Sequence, residues 1–255
     1  MNYCVAIPSY GRPDILKRTT LKLLKEQGIA ENRIIIFLRD EDEREKYGNL
    51  EGYKVIITEA KGIKNTRNFL RNYFSTCEEI YDFVLFIDDD IKDIVKGKDS
   101  LKVGELYDLI LDMYEVAKRE KITLVGICGF HNHYFLKDKI TKNLKYIIGA
   151  FCGILEPKNN SVITCSVEHG EDYEFTIKHF LRDGGVIRLN NYGLKTKYYN
   201  EQGGICGDMG GFKARNENAK ESLEKLAKEY PDMCKVIKKG EKWDLRLNYH
   251  FQRQL

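Results

Sequence analysis

The stretch FVLFIDDD, residues 83–90, decides the fold class of this chain. Its five apolar residues predict a strand that is buried on both faces, and three adjacent carboxylates follow that strand directly. Ligands of open parallel sheets bind beyond the carboxyl ends of the strands. The sequence therefore predicts a ligand site where this strand ends.

Similar apolar runs alternate with amphipathic segments along the first half of the chain. Strands are predicted at residues 3–7, 34–38, 53–57, 83–87 and 122–125, and helices at residues 16–24, 65–74 and 103–119. This alternation is typical of an α/β fold. We expect a mixed, mostly parallel, Rossmann-like sheet that is flanked by helices.

The second half of the chain is less regular. Strands are predicted near residues 145–155, 161–166, 185–189 and 193–199, a helix at 172–182, and a helical segment at 215–239 that breaks at Pro231. No repeat or low-complexity linker divides the chain. We expect a single domain over residues 1–255, with a nucleotide-binding half at 1–100 and an acceptor half at 101–255 that ends in a helical tail.

The composition excludes several classes of protein. Lys and Arg number 42 and Asp and Glu 39, a net charge of +3, which argues against a strongly basic nucleic-acid coat. No apolar run is long enough to span a membrane, and no signal peptide is visible. The 7 cysteines are scattered without a C-x-x-C pair, which predicts reduced thiols in a cytoplasmic protein and no zinc knuckle.

The acidic turn after the fourth strand predicts a metal site. Alternate residues of an extended turn point to one side, so Asp88 and Asp90 are placed to share Mg²⁺ or Mn²⁺. Such ions prefer oxygen ligands and bridge phosphates. Asp89 faces the other way and is placed to accept a ribose or sugar hydroxyl. The alternative is a solvated acidic turn that caps a helix.

Two further segments are predicted to contact a nucleotide. In VAIPSYGRP, residues 5–13, Tyr10 offers a stacking face and Arg12 a phosphate partner at a strand-to-helix turn. In GIKNTRN, residues 62–68, Asn65 and Arg67 are placed to reach the same ligand. An ordinary turn and an ordinary helix cap are the alternatives. No G-x-G-x-x-G or P-loop pattern occurs, which argues against a dehydrogenase or a P-loop kinase.

Further candidate functional residues lie around a helix start in EHGEDYEF, residues 168–175. The helix dipole favours an acidic side chain at Asp172, the kind of group that acts as a general base, although Asp172 also suits a simple helix cap. Arg182 is either a phosphate partner or a surface arginine. The glycine-rich segment that begins at residues 199–205 is either a loop that closes over a ligand or a plain connection.

These motifs, in this order, resemble the GT-A glycosyltransferases. The resemblance implies that Asp88 and Asp90 hold a divalent metal on the diphosphate of a nucleotide sugar. It places the donor against the opening turn and after the second strand, at Pro8, Ser9, Tyr10, Arg12, Arg39 and Asp40. It also implies that Asp172 is the general base, with Glu171 as the second choice, and that His250 near the carboxyl terminus is a third metal ligand.

The tail resembles a narrower group, the TET/JBP-associated glycosyltransferases of phages and kinetoplastids, which modify hydroxymethylated pyrimidines in DNA. The resemblance rests on a helix that ends in Tyr230-Pro231, the lysine-rich residues 235–239 and RLNY at 246–249. Residues 213–255 contain 11 Lys or Arg against 7 Asp or Glu. Lys238 and Lys239 are therefore candidate acceptor contacts, together with Arg182.

The resulting hypothesis is a Mn²⁺- or Mg²⁺-dependent enzyme that moves glucose from UDP-glucose to 5-hydroxymethylcytosine or a related base in DNA. If phage-encoded, it would act in the host cytoplasm. One alternative is a GT-A enzyme with a glycan or lipid-linked acceptor. A sugar-phosphate nucleotidyltransferase is another, although its glycine-rich amino-terminal signature is missing. A non-enzymatic alternative is an inactive GT-A-like module that binds DNA.

Overall fold

The structure, a computed structural model, describes residues 1–196 and 212–252. Its strands are β1 (Tyr3–Pro8), β2 (Ile34–Leu38), β3 (Lys54–Ile57), β4 (Phe83–Ile87), β5 (Ile91–Lys96), β6 (Asp99–Ser100), β7 (Leu124–Cys128), β8 (Ile140–Thr141), β9 (Phe151–Leu155), β10 (Ile187–Thr196), β11 (Cys234–Lys239) and β12 (Lys242–Leu247). Its α-helices are α1 (Pro13–Leu16), α2 (Lys22–Glu26), α3 (Glu41–Tyr47), α4 (Ile63–Thr76), α5 (Glu105–Glu120), α6 (Glu171–Asp183) and α7 (Phe212–Glu229). A π-helical turn (Lys17–Leu21) joins α1 to α2, and a 3₁₀ turn (Glu31–Arg33) precedes β2.

Ten of the described strands form one sheet in the order β3-β2-β1-β4-β9-β7-β10-β5-β6, with β8 also paired to β10. Strands β3, β2, β1 and β4 are mutually parallel, as are β7 and β10. Strand β9 runs antiparallel between β4 and β7. Seven of the ten strands point the same way, so the predicted single-domain α/β fold with a mixed, mostly parallel sheet is confirmed.

The central strands are buried on both faces because their alternate residues enter different cores. Val5 and Leu85 pack in one apolar cluster with residues of α5. Cys4 and Val84 pack in another cluster with Phe74 of α4. This two-sided burial explains why β1 and β4 are continuous apolar runs and not alternating patterns.

The strand predicted at residues 161–166 is wrong. The backbone there bonds to side chains of neighbouring helices instead of to another strand. Asn68 of α4 accepts from the Cys165 N–H at 2.8 Å and donates to its carbonyl at 2.9 Å. The buried Glu174 of α6 accepts from the Ser166 and Val167 N–H groups at 2.7 and 3.1 Å. Those side chains replace the partners that a strand would need.

Two other strand predictions need correction. The strand expected at 145–155 begins only at Phe151, because the preceding backbone bonds to side chains: Arg188 donates to the Tyr146 carbonyl and Thr176 accepts from the Ile147 N–H. The strands expected at 185–189 and 193–199 are one strand, β10, with an irregularity between Leu189 and Gly193 in its pairing with β7.

The helical prediction for residues 215–239 holds only as far as Glu229. After Pro231 the chain forms the β11–β12 hairpin, so the acceptor half does not end in an all-helical tail. The apolar face of the hairpin explains this outcome, because Leu245 and Leu247 pack in the same core as Leu226 of α7. On β11, Cys234 and Val236 pair with these two leucines and complete the apolar face, which a helix over 234–239 would not do.

Part of the second half lies outside the described residues, namely the glycine-rich segment expected from 199–205 and the end of the strand expected at 193–199. None of the helices that the structure describes is both long and apolar enough to cross a bilayer.

Candidate active site

The three carboxylates of the acidic turn take two different positions at the end of β4. Asp88 and Asp90 are partly exposed, with 27% and 18% of their side chains accessible. Asp89 is buried, and it accepts from the Ser9 hydroxyl at 2.5 Å and pairs with Arg12 at 2.8 Å. Burial raises the pKa of Asp89 to about 7, against the opposing charge of Arg12. Asp89 therefore anchors the turn from inside, whereas Asp88 and Asp90 remain partly accessible to solvent.

The backbone of the acidic turn is held by two threonines of the π-helical turn, which sequence reasoning missed. Thr19 donates to the Asp89 carbonyl at 2.7 Å, and Thr20 donates to the Asp88 carbonyl at 2.7 Å. Thr20 also accepts from the Ile91 N–H at 2.9 Å. No local pattern in the sequence marks these threonines, since they lie about 70 residues before the carboxylates.

Thr20→Val is expected to lower the free energy of unfolding by about 1–3 kcal/mol, because it leaves the buried Ile91 N–H without its partner. Urea denaturation measures the change. Thr76→Val, at an exposed position of α4, is the matched control and should change stability by less than about 0.5 kcal/mol. Equal losses in both variants would contradict a specific role for Thr20.

The turn after β1 is built around a buried tyrosine. The Tyr47 hydroxyl, at the end of α3, lies 2.7 Å from the Ser9 hydroxyl and accepts from the Arg12 N–H at 3.1 Å. Arg12 also lies 3.5 Å from Asp90. Pro8 lines a small cavity that also borders Arg67 and Asp88. The opening turn is therefore in contact with the acidic turn, as its place beside β4 requires.

An aromatic platform lies beside these residues, at the ends of β1 and β2. The Arg39 guanidinium stacks on the Tyr10 ring at 3.9 Å. Arg39 also donates to Asp40 at 2.9 Å, and Asp40 caps α3 by accepting from the Glu43 N–H at 2.9 Å. Stacked planar groups of this kind suit contact with a nucleobase. Tyr10 and Arg39 were both predicted to contact the nucleotide-sugar donor, but nothing in the sequence indicated that their side chains stack on each other.

A buried arginine joins the acidic turn to α6. Arg67 of α4 pairs with Asp88 at 3.0 Å and with Glu171 at 2.6 Å. Burial lowers the pKa of Arg67, but the charges of Asp88 and Glu171 outweigh it and raise that pKa above its ordinary value. Burial raises the pKa of Glu171 to about 7. Gly149 makes room for this bridge, because a Cβ there would lie 1.8 Å from the Arg67 Nη1.

Asp172, the next residue, has a different environment. It is half-buried, and it accepts a short hydrogen bond from the Tyr146 hydroxyl. The Tyr146 ring lies 4.3 Å from the Tyr173 ring, and the Tyr173 hydroxyl donates to Asp244 of β12 at 2.7 Å. Asp244 in turn pairs with Lys239 at 2.5 Å. A continuous chain of contacts therefore links Asp172 to the hairpin.

The structure does not bring four of the predicted residues into this cluster. Asn65 is exposed on α4 and donates to the Lys61 carbonyl. Lys238 lies on the opposite face of β11 from Lys239, 5.4 Å from the Trp243 ring. His250 is exposed beside Phe251, which packs on Phe180 late in α6, about 13 Å along the helix from Glu171.

Arg182 lies about 15 Å along α6 from Asp172 and belongs to a structural cluster. It pairs with Asp183 at 2.6 Å and donates to the Ser161 carbonyl at 2.9 Å. The buried His179 ring lies beside it, with Nδ1 2.9 Å from the Thr123 hydroxyl. Burial lowers the pKa of His179 to about 4, although the hydrogen bond to Asp183 opposes this.

This histidine makes stability depend on pH. Between pH 6.5 and 4 the unfolded chain protonates His179 while the folded chain does not, so stability falls as the pH falls. The loss is expected to reach about 3 kcal/mol near pH 4. Urea denaturation from pH 7 to 4.5 measures it, and His179→Gln should remove this part of the slope. A wild-type slope that His179→Gln leaves unchanged would contradict the assignment.

The charges of the cluster fit a divalent cation. The three carboxyl groups of the acidic turn pair with only two arginines, Arg12 and Arg67. Glu171, which also pairs with Arg67, and the adjacent Asp172 bring two more carboxyl groups close to the turn. Burial and then the neighbouring Asp88 raise the pKa of Asp90, a repulsion that a cation would relieve. No group of three or more His, Cys, Asp or Glu ligands occurs in the described part of the chain. Two carboxylates suffice for Mg²⁺ when substrate phosphates supply further oxygens.

No protein-family model and no curated protein sequence match this chain. Its similarity is to solved structures. One is glucosyl-3-phosphoglycerate synthase from Mycobacterium tuberculosis in complex with UDP, at TM-score 0.57 and 11% identity over 96% of this chain and 87% of that chain. Another structure of that synthase holds Mn²⁺, UDP-glucose and phosphoglyceric acid, at TM-score 0.56 and 11% identity over 99% and 89%.

Two further similar structures extend the comparison. Mannosyl-3-phosphoglycerate synthase from Rubrobacter xylanophilus has TM-score 0.53 and 12% identity over 96% of this chain and 84% of that chain. S. aureus TarS has TM-score 0.53 and 16% identity over 91% of this chain, which spans only 40% of TarS. At these identities the comparisons establish the fold alone, and the chain has the GT-A fold of the nucleotide-diphospho-sugar glycosyltransferases.

Proposed function

We propose that this protein is a metal-dependent glycosyltransferase that moves a hexose, glucose in the first instance, from a UDP-sugar to the hydroxymethyl group of 5-hydroxymethylcytosine or a related base in DNA. One observation carries the proposal. Within a GT-A fold, Arg67 joins the acidic turn to the start of α6, so that the carboxylates to which we assign the metal lie close to the one to which we assign the proton.

The donor side is supported by the residues around the acidic turn. Asp88 and Asp90 would hold Mn²⁺ or Mg²⁺, and the bound cation would neutralise charge on the departing diphosphate. Arg12 lies beside Asp89 and Asp90 of the turn and carries a charge that suits a phosphate. The Tyr10–Arg39 platform suits the uracil base. The fold's similarity to a structure that holds Mn²⁺ and UDP-glucose agrees with this donor.

Asp172 is the general base of the proposed reaction. Its carboxylate accepts the proton of the acceptor hydroxyl while the hydroxyl oxygen bonds to the anomeric carbon and the bond from that carbon to the diphosphate breaks. The Tyr146 hydroxyl orients the Asp172 carboxylate. Glu171 is less accessible and already paired with Arg67, so its role is to position that arginine.

The hairpin supports an anionic acceptor. Cross-strand pairing places Lys235, Lys239, Lys242 and Arg246 on one face of β11 and β12, and all four are exposed. Asp244 lies on the same face and connects it to Tyr173, next to Asp172. A DNA strand whose phosphates lie on this face would therefore pass close to Asp172, the proposed general base. Free cysteines, five of them buried among the described residues, suit the cytoplasm as the place of the reaction.

A transfer assay tests the proposal. The protein is incubated with Mn²⁺, UDP-glucose and DNA that contains either cytosine or 5-hydroxymethylcytosine, and the DNA is digested to nucleosides for mass spectrometry. We expect a hexose mass gain on the hydroxymethylated DNA alone, and its loss with EDTA. UDP release without a change in DNA would place the acceptor elsewhere, and no use of any UDP-sugar would reject the donor.

Variants of the acidic turn test the metal assignment. Asp88→Asn and Asp90→Asn are each expected to lower transfer at least about 100-fold, because a bound metal contributes several kcal/mol to the transition state. Mn²⁺ binding measured by electron paramagnetic resonance should weaken in parallel. Asp93→Asn is the matched control, since Asp93 lies three residues on and pairs with Ser100. Full activity and Mn²⁺ binding in both turn variants would exclude Asp88 and Asp90 as ligands.

A further inference from the structure

An exposed aromatic cluster follows β7. Phe130, Tyr134 and Phe135 are 40%, 73% and 60% accessible. Their rings contact each other edge to face, with centroids 6.3 Å apart for Phe130 and Phe135 and 5.3 Å apart for Tyr134 and Phe135. Three large rings left together at a surface indicate an interaction site, because water contact with such a patch is unfavourable.

The segment that carries the rings is held in place from below. Leu136 is buried against Val95 and Cys128. Directly after Leu136, the Lys137 N–H donates to the Asn190 carbonyl at 2.9 Å and the Asn190 N–H donates to the Lys139 carbonyl at 3.0 Å. The rings are therefore presented by a formed loop, and little conformational entropy would be lost when a partner binds.

The cluster lies at the edge of the sheet that carries the active site. Strand β7 points the same way as β4, so the segment after it leaves from the edge that holds the acidic turn. The Phe130 carbonyl is 2.2 Å from the position of a Cβ on Gly193. Three residues later along β10, Thr196 bonds to Asp90 at 3.0 Å. Three strand residues span about 10 Å, a distance of one or two nucleotides.

We infer that this aromatic cluster stacks on unpaired nucleobases next to the acceptor base, so that the preferred acceptor is single-stranded DNA. The inference rests on the proposed DNA acceptor. Rings that contact each other edge to face leave ring faces open to solvent, and a nucleobase can stack on such a face. Lys137 and Lys139 are exposed beside the rings and suit the phosphates between such bases.

The same chemistry disfavours other occupants. A second copy of this chain would bring the lysines of two loops together, which costs like-charge repulsion. Insertion into a membrane surface would need a continuous apolar face, whereas the residues between the rings are the polar His131, Asn132 and His133. These two occupants become outcomes of the test.

Binding without any donor tests the inference. A fluorescein-labelled 12-nucleotide single strand and its duplex are titrated with the protein, and anisotropy is measured. We expect the single strand to bind at least about fivefold more tightly, and Tyr134→Ala and Phe135→Ala each to weaken it at least about fivefold. Tyr107→Ala is the matched control, because this exposed ring packs on Tyr3, at the opposite end of β1.

Leucine variants separate stacking from apolar burial. Tyr134→Leu and Phe135→Leu retain apolar surface but lose the ring, so they should weaken single-strand binding as the alanine variants do. If the leucine variants bind the single strand as tightly as the wild type does, the inference is overturned. Two other results would also overturn the inference. In one, the alanine variants abolish binding to vesicles of phosphatidylcholine and phosphatidylserine but leave single-strand binding unchanged. In the other, they abolish self-association in light scattering and again leave single-strand binding unchanged.

The two proposals fail in different ways. If the wild type transfers sugar to hydroxymethylated single strands and duplexes equally, and Tyr134→Ala changes neither, the DNA acceptor stands and the stacking surface is wrong. If no hydroxymethylated DNA is modified and neither form of DNA binds, the proposed acceptor itself is wrong. Transfer to the free nucleoside 5-hydroxymethyldeoxycytidine should be the same in Tyr134→Ala and the wild type, since a nucleoside lacks neighbouring bases.

Discussion

Replacing Asp172 with asparagine is expected to lower sugar transfer by about 100- to 10,000-fold, the usual contribution of a general base. The amide keeps an oxygen that accepts from Tyr146, and it fits the same space, so the start of α6 should be unchanged. It has no capacity to take the proton of the acceptor hydroxyl. Steady-state kinetics should show a fall in kcat with an unchanged KM for the UDP-sugar.

Two further variants are compared with Asp172→Asn. Tyr146→Phe removes the hydroxyl that orients Asp172 but leaves the carboxylate, and it should cost less than Asp172→Asn. Glu171→Gln removes a partner of Arg67 and should alter stability as well as turnover. If Asp172→Asn weakens donor binding as much as turnover, Asp172 belongs to the donor site. If it is fully active while Glu171→Gln is not, the base is Glu171.

Gly149→Ala is expected to destabilise the protein by about 3–5 kcal/mol, although it adds only a methyl group. The new Cβ would lie 1.8 Å from the Arg67 Nη1, the nitrogen that pairs with Glu171. Arg67 must then move, and its partners, the buried Glu171 and the partly exposed Asp88, lose their counter-charge. Removing one partner of a buried ion pair has a cost of this size in other proteins. Urea denaturation measures the loss, and donor binding should weaken with it because Asp88 is no longer held.

A double-mutant cycle identifies the cause of that loss. In an Arg67→Met background the bridge is already absent and the flexible Met side chain leaves space, so Gly149→Ala should cost at least about 1 kcal/mol less than in the wild type. Additive effects would mean that Gly149 is required for its own backbone and not for the arginine.

The elements that the sequence predicted well are those with a local cause. Strands β1, β2 and β4 are apolar runs because both of their faces are buried, and the carboxylates at 88–90 follow β4 without a gap. Asp172 could be placed at a helix start from its neighbours alone. These patterns need no knowledge of distant residues.

The partners that complete the site could not be predicted, because they come from far along the chain. Thr20, Tyr47 and Tyr146 act through single hydroxyl groups that meet the site only after the sheet has formed. The segment at 161–166 was taken for a strand because nothing local shows that Asn68 and Glu174 bond to its backbone.

The hairpin did have a signal. Residues 242–247 alternate between polar and apolar side chains, as do residues 234–236, and the two strands flank a two-residue loop, Gly240-Glu241, in which Gly240 adopts a positive φ of 61°. Glycine at the first position of such a loop is typical of a tight hairpin. The prediction extended the helical segment to residue 239, but alternation with a period of two was the better guide.

The antiparallel insertion of β9 has a consequence for how this protein is made. Strand β4 carries the acidic turn, yet its free side is covered only when residues 151–155 arrive, and the Asp88 N–H then bonds to the Ala150 carbonyl at 3.0 Å. When only the first 100 residues have emerged from the ribosome, the nascent chain therefore exposes one side of β4 as an unpaired apolar edge. That edge is open to pairing with another nascent chain. Expression of truncated forms should yield aggregates, and the acidic turn should mature late in folding, after contacts across more than 60 residues have closed.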